Sequence, residues 1–289
     1  MTMTLRLGGR ELAVDELAVM GIVNRTPDSF FDQGAYIDDT AAMAAVDAAV
    51  EEGAVLVDIG GVKAGPGADV PVDEEVARTA PFVAAVRRRH RDLVISVDTW
   101  RAPVARAVCE AGADLLNDAW QGADPGLVRV AAEFGAGVVC CHAGGLPPRT
   151  DPHRAAYDDV VADVVRTVTD LAERAVRAGV RRDAVLVDAA HDFGKNTYHS
   201  LEVTRRLDEL VATGWPVLVA VSNKKFLGEV LDADKDNRLE ASLAATTICA
   251  WHGARVFRAH QVRATRRVLD TVAAVRGTRP PAVSRRALA

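Results

Sequence analysis

Eight apolar runs in this chain close on side chains that can hydrogen-bond, carry charge or hold an ion. In order these are Asn24, Asp58, Asp98, Asn117 with Asp118, His142, Asp188, Ser222 with Lys224, and Arg258 with His260. One such residue is weak evidence, because Asp and Asn at a strand-to-helix junction often cap the following helix. Eight in succession point to a ligand-binding mouth. Asp98, Asn117 and Asp188 offer carboxylates and an amide, suited to the amino and ring N–H edge of a flat heterocycle. Arg258 and His260 stand just before the last amphipathic stretch, where barrels commonly build an anion site. Asn24, with the carboxylates, supplies the oxygen that Mg²⁺ prefers. The ligand these types imply is a planar, amino-substituted ring bearing a phosphate.

The elements that must position these groups follow from the apolar pattern. Short runs such as AVLVDIG, DLVISVD, AGVVCCH and PVLVAVS alternate with longer alanine-rich amphipathic stretches, eight pairs in all. Runs without polar alternation suit strands covered on both faces, as in a parallel sheet. Eight strand-plus-helix units in 289 residues predict an α/β fold, a (β/α)8 TIM barrel, as one domain over residues 1–289. LRLGGRELAV, within residues 1–16, reads as a β-hairpin before the first barrel strand, and residues 279–289 read as a flexible tail. A dimer is expected through residues 238–251, a stretch apolar around nearly its whole circumference and so implying burial on two sides.

Composition narrows the classes. A formal charge of −5 offers no basic surface, which argues against nucleic acid as a partner. No apolar run approaches a membrane span, and the N-terminus lacks a signal peptide's order, so a cytoplasmic protein is expected. The four cysteines form no C-x-x-C pair and read as buried reduced thiols. GGVKAGPG is no Walker loop, because its lysine does not follow the last glycine, and the stretch beginning at residue 232 has Asn237 and Leu243 where a calcium loop needs its sixth-position glycine and twelfth-position glutamate. His191-Asp192 reads as a surface turn or, alternatively, as a new polar contact for a different ligand, and RRRHR (residues 87–91) reads as a solvated helix end.

These segments resemble dihydropteroate synthase over nearly the whole chain. GIVNRTPDSFFDQG is similar to that family's first-loop signature, N-x-T-P-D-S-F-x-D-x-G, and SVDTW, LLNDAW, FGK at Phe193 to Lys195, SNKKFLG and RAHQV follow in the family's order. The resemblance implies a barrel that joins para-aminobenzoate to the methylene of 6-hydroxymethyl-7,8-dihydropterin pyrophosphate in folate biosynthesis, with Mg²⁺ assistance and as a homodimer. It implies that Asp98, Asn117, Asp188 and Lys224 take the pterin, with Lys224 and Asp98 also catalytic. It implies that Asn24, Arg258 and His260 take the pyrophosphate, and that Asn24 meets the metal. The chemistry needs a held electrophilic carbon, stabilisation of the leaving pyrophosphate and exclusion of water, and no covalent nucleophile.

The departures fall at the amine and leaving-group sites. Where the family's second loop reads G-G-E-S-T-R-P-G, this chain has Val62, Lys63, Ala64 and Gly65 in place of E-S-T-R. The usual S-R-K-S-F is Ser222, Asn223, Lys224, Lys225, Phe226; the usual D-P-G-I-G-F-G-K carries Ala189, Ala190, His191 and Asp192 between Asp188 and Phe193; and M-H-M is Cys141, His142, Ala143. The pattern resembles the second, diverged dihydropteroate synthase paralogue of actinobacteria. One preorganised charge-assisted contact is worth roughly 3–4 kcal/mol at a transition state, so the lost threonine and arginine imply weak or absent synthase activity. Lys63, Lys225 and Arg25 are the candidate replacements for the missing charge. An active transferase, on the usual or another arylamine, and a pterin-binding protein without chemistry are the alternatives.

Overall fold

A computed structural model describes residues 4–25, 39–151 and 155–286. The chain opens with β1 (Leu5–Leu7) and β2 (Arg10–Leu12), antiparallel and joined at Gly8, whose φ of 55° suits a residue without Cβ. Eight parallel strands follow: β3 (Ala18–Asn24), β4 (Leu56–Gly60), β5 (Val94–Asp98), β6 (Leu115–Asp118), β7 (Gly137–Cys141), β8 (Val185–Asp188), β9 (Leu218–Val219) and β10 (Val256–Ala259). Their order in the sheet is β8-β7-β6-β5-β4-β3-β10-β9. A bridge between Val187 and Val217, with the Val187 amide donating to the Pro216 carbonyl at 3.0 Å, joins its two ends and closes the barrel.

Every residue of β4, β7 and β8 is buried, which explains the unbroken apolar runs. Leu5, Leu7 and Leu12 of the hairpin join Met20, Leu56, Val94, Leu115, Leu186, Leu218 and Val256 in one buried cluster. The hairpin therefore plugs the end where the strands begin. Polar side chains inside the barrel are left to face the end where the strands finish.

Helices α1 (Asp39–Glu51), α2 (Val72–Arg89), α3 (Ala102–Glu110), α4 (Leu127–Phe134), α5 (Val160–Arg177), α6 (Thr197–Arg205), α7 (Leu207–Val211), α8 (Lys225–Leu231), α9 (Leu239–His252) and α10 (Val262–Val275) lie between the strands and after β10. The Asp159 side chain caps α5, and Asn196 forms a capping box on α6. Two features depart from the apolar pattern. The stretch after β8 breaks at Arg206 into α6 and α7, and α8 is an extra element of seven residues. So short a helix shows too few turns for its period to register.

Two other expectations need correction. The solvated helix end holds at Arg88, Arg89 and Arg91, which are exposed, but Arg87 is half-buried: it donates to the Gly112, Leu93 and Arg91 carbonyls and pairs with Asp114. His191 and Asp192 form no surface turn. Left-handed backbone at Ala190 (φ 50°) and Asp192 (φ 71°) folds the chain inward, and the fully buried His191 ring stacks on Phe226, centroids 5.6 Å apart. The Asp192 carboxylate accepts the amides of Lys225 (2.6 Å) and Phe226 (3.2 Å) at the start of α8. Residues 279–286 are exposed and carry no helix or strand, and no described helix is long and apolar enough to cross a membrane.

Candidate functional site

The site is organised around a carboxylate below the strand ends. β4 runs two residues past Asp58 to Gly60, so Asp58 sits inside the barrel, with Ser96 of β5 in register beside it. An acid in a fully buried strand needs partners, and Asp58 has three. Ser96 Oγ donates to it at 2.5 Å, Asn117 Nδ2 at 3.0 Å and Arg258 Nε at 2.6 Å. Arg258 Nη2 also lies 3.5 Å from Asp98, so the guanidinium sits between two carboxylates. Burial, then the charge of Asp58, pushes the Asp98 carboxyl up to about 7, against the opposing pull of Arg258. Asn117 stands opposite Asp98 in the ladder and takes a weak Cys141 thiol contact at 3.8 Å.

Asp188 ends β8 beside Cys141, is buried, and accepts the Ala190 amide at 2.8 Å. Burial raises its pKa, while the charges of Lys224, Lys195 and Arg258 pull it down. Lys224 precedes α8, with Nζ 4.5 Å from the centroid of the Phe193 ring. Burial lowers its pKa, opposed by Asp192 and Asp188. Phe193 meets Trp120 edge-on at 5.2 Å, and with Trp100, Ala119 and Ala143 they make an apolar wall. Asp98, Asn117, Asp188, Lys224 and Arg258 thus form one coupled group: Asp58 bonds both Asn117 and Arg258, and Lys224 acts electrostatically on Asp98 and Asp188.

His260 lies at the edge of this group. Its Nδ1 is 3.3 Å from Ser222 Oγ, and burial lowers its pKa to about 3, so the ring is neutral. Asn24 ends β3 beside Gly60, and among the described residues its side chain makes no hydrogen bond. Most of the first-loop signature falls in residues 26–38, outside the described residues. Among the described residues no three His, Cys, Asp or Glu side chains converge as a metal cluster. The four cysteines are free and buried.

Two polar strand ends turn away from the mouth. Asp118 accepts the Trp120 and Gly122 amides and braces its own loop. His142, fully buried, bonds Asp163 of α5 through Nε2 (2.9 Å) and Lys195 Nζ through Nδ1 (2.7 Å). Lys195 also donates to the His142, Ala190 and Phe193 carbonyls, so it staples the loop that carries Phe193. Burial pushes Lys195 down to about 7 and His142 down to about 4. Reading strand ends alone missed Asp58 as the hub and Lys195 as the staple. The available signal for Asp58 was an acid inside LVDIG, which has no polar alternation to explain it.

The second loop, residues 61–70, is held by its backbone. Arg78 donates to the Gly61 carbonyl (2.9 Å), and Arg101 to that of Val70 (2.7 Å). Arg149, from the segment after β7, donates to Lys63 (3.1 Å), Gly65 (3.3 Å) and Ala68 (2.7 Å). Val62 is buried. Among the candidate replacement cations, Arg25 pairs with Asp39 and Lys225 with Asp151.

The pterin binding enzyme family matches this chain over residues 20–260. The chain is 58% identical over 287 residues to a Mycobacterium leprae protein named inactive dihydropteroate synthase 2, covering 98% of this chain and 99% of that one. It is 36% identical over 273 residues to dihydropteroate synthase of Escherichia coli K12, covering 94% and 96%. The solved structure of Yersinia pestis dihydropteroate synthase in a sulfonamide drug complex superposes with a TM-score of 0.90 at 34% identity, over 96% of this chain and 100% of that one.

Proposed function

This chain belongs to the pterin binding enzyme family as a diverged homologue of dihydropteroate synthase, and from that premise we propose that it binds a dihydropterin at the barrel mouth with weak or absent synthase activity. The observation that carries the reading is the contrast within the site. Asp58 holds Arg258 and Asn117 in an ordered polar floor, whereas residues 62–65 present no threonine or arginine above it.

In this reading Asp98, Asn117 and Asp188 accept from and donate to the ring's hydrogen-bonding edge, and Lys224 closes the slot against Phe193. Arg258, His260 and Asn24 face the pyrophosphate. Transfer breaks the methylene–oxygen bond and leaves negative charge on the departing group, so this side needs net positive charge. Arg258, His260 and Asn24 supply little of it: Arg258 is matched by two carboxylates and His260 is neutral, so these three do not make up the charge that residues 62–65 lack. The oxygen of Asn24 suits a Mg²⁺ completed by phosphate oxygens and water, the usual arrangement for that ion. When bound, the ion would neutralise charge on the phosphates.

Assembly and location belong to the same proposal. The outer face of α9 exposes Ile248 and Trp251, and we propose that this face forms a homodimer in the cytoplasm. Light scattering giving a monomer mass at micromolar concentration would overturn the dimer.

The function is tested by titrating 6-hydroxymethylpterin into the protein, alongside a mass-spectrometric turnover assay with the dihydropterin pyrophosphate and a panel of arylamines. The panel includes uncharged amines, because Asp192 places a carboxylate beside Lys224 at the start of α8. We expect saturable pterin binding and a rate with para-aminobenzoate at least about 10²-fold below that of an active synthase. Absence of pterin binding, or robust product with para-aminobenzoate, overturns the reading.

A further inference from the structure

Cations around the mouth are mostly matched by carboxylates. Arg258 lies on Asp58 and Asp98, Arg101 on Glu75, Arg78 on Glu74, Arg25 on Asp39 and Lys225 on Asp151. Arg149 differs. Among the described residues its guanidinium meets three carbonyl oxygens and no carboxylate, and Nη2 donates to nothing.

We propose that Arg149 receives the phosphate or pyrophosphate of a ligand whose ring lies on the Asp98–Asn117–Asp188 floor, a specificity role that rests on the pterin reading above. Three observations carry it. First, the position is suitable: Arg149 comes from the loop after β7, reaches the loop after β4, and delivers its charge at Lys63 and Gly65, the second of which has no side chain to offer. Two residues further on, Asp151 bonds Lys225 at the start of α8, so the segment is tied on two sides of the mouth.

Second, the guanidinium is poised to exchange partners. A bond from Arg to a neutral carbonyl is weaker than a charge-assisted bond to a phosphate oxygen, and the planar fork can meet two such oxygens at once. A phosphate arriving at this loop gains by displacing carbonyl contacts, and it finds no carboxylate on Arg149 to compete with. Gly67 leaves the space for Nη2: a Cβ built there would come within 2.9 Å of it. Third, Arg149 holds a left-handed backbone, φ 65°, an uncommon conformation for a residue with a side chain. The Ala68 bond at 2.7 Å helps to hold it there.

The test uses the full-length protein, Arg149→Met and Arg149→Lys, each titrated with 6-hydroxymethylpterin, its pyrophosphate ester and inorganic pyrophosphate. Arg149→Met is expected to weaken both pyrophosphate ligands by roughly tenfold or more, the worth of a lost charged hydrogen bond, while 6-hydroxymethylpterin stays within about twofold of the parent. Unchanged affinity of both pyrophosphate ligands in Arg149→Met overturns the proposal. If Arg149→Met also loses 6-hydroxymethylpterin, the loop has lost its support and Arg149→Lys decides, because it keeps the charge without the fork. Weaker pyrophosphate binding with normal 6-hydroxymethylpterin binding in that variant supports the proposal, and unchanged pyrophosphate binding overturns it. If the parent itself fails to bind 6-hydroxymethylpterin, the pterin reading falls, and inorganic pyrophosphate alone then decides the role of Arg149 by the same comparison.

Discussion

At the floor of the mouth, side chains hold side chains; in the loop above it, side chains hold backbone. Asp58 takes hydrogen bonds from Ser96, Asn117 and Arg258, and none of the four residues can change type without leaving a buried group unpaired. The carbonyls of Gly61, Lys63, Gly65, Ala68 and Val70 instead accept from Arg78, Arg149 and Arg101. Any residue supplies a carbonyl. The loop can therefore keep its shape while the side chains at positions 62–65 change, and function can be lost there without cost to the fold.

That difference is broken most severely at Asp58. Asp58→Ala leaves the Arg258 charge buried with only the longer contact to Asp98, and loss of one partner of a buried pair costs about 3–5 kcal/mol. Urea denaturation should show that loss, and 6-hydroxymethylpterin binding should disappear with it. An unchanged midpoint would mean that the floor is not held as described.

Asp98 gives the next effect, on affinity. The carboxyl titrates at about 7, and its ionised form is the better acceptor for a ring N–H, so pterin affinity should rise as pH increases through neutrality. Asp98→Asn should flatten that profile and cost roughly tenfold at about pH 8. A parent profile that falls with pH would exclude this role.

Lys195 gives a smaller effect, on stability. Burial lowers its pKa from 10.5 to about 7, so between those values the unfolded chain binds the extra proton and stability rises with pH. From about pH 7 to pH 9 the rise should reach about 1 kcal/mol or more, and Lys195→Met should abolish it in paired urea titrations. A slope that survives the substitution belongs to another group.

How much of this was legible before the structure depends on which periodicity a residue obeys. The strands could be read because GVVCC and VLVD are buried on both faces, and Gly8 announced the hairpin. Helix α8, with seven residues, left no pattern. At the site, strand ends named Asp58 together with Asp98, Asn117, Asp188 and Lys224 but did not show that Asp58 lies a layer beneath them and holds the others. His142 was counted with the mouth although the alternation of a strand sends it outward to Asp163, the opposite way from Cys141, which contacts Asn117. His191 was hidden for another reason: the positive φ at Ala190 and Asp192 sets the direction of the turn, and local composition does not encode it.

On the proposed function the floor is competent and the second loop limits chemistry. The direct measurement is synthase turnover of Ala64→Thr/Gly65→Arg against the parent, with dihydropterin pyrophosphate and para-aminobenzoate. Space permits the substitution, since a Cβ at Gly65 would approach nothing closer than Lys63 Cε at 3.8 Å. Turnover should rise by at least about tenfold, a fraction of the roughly 10² to 10³ that one such contact supplies, while 6-hydroxymethylpterin affinity stays unchanged. A folded double variant that binds pterin like the parent and turns over no faster, or a parent already fully active, would contradict the account.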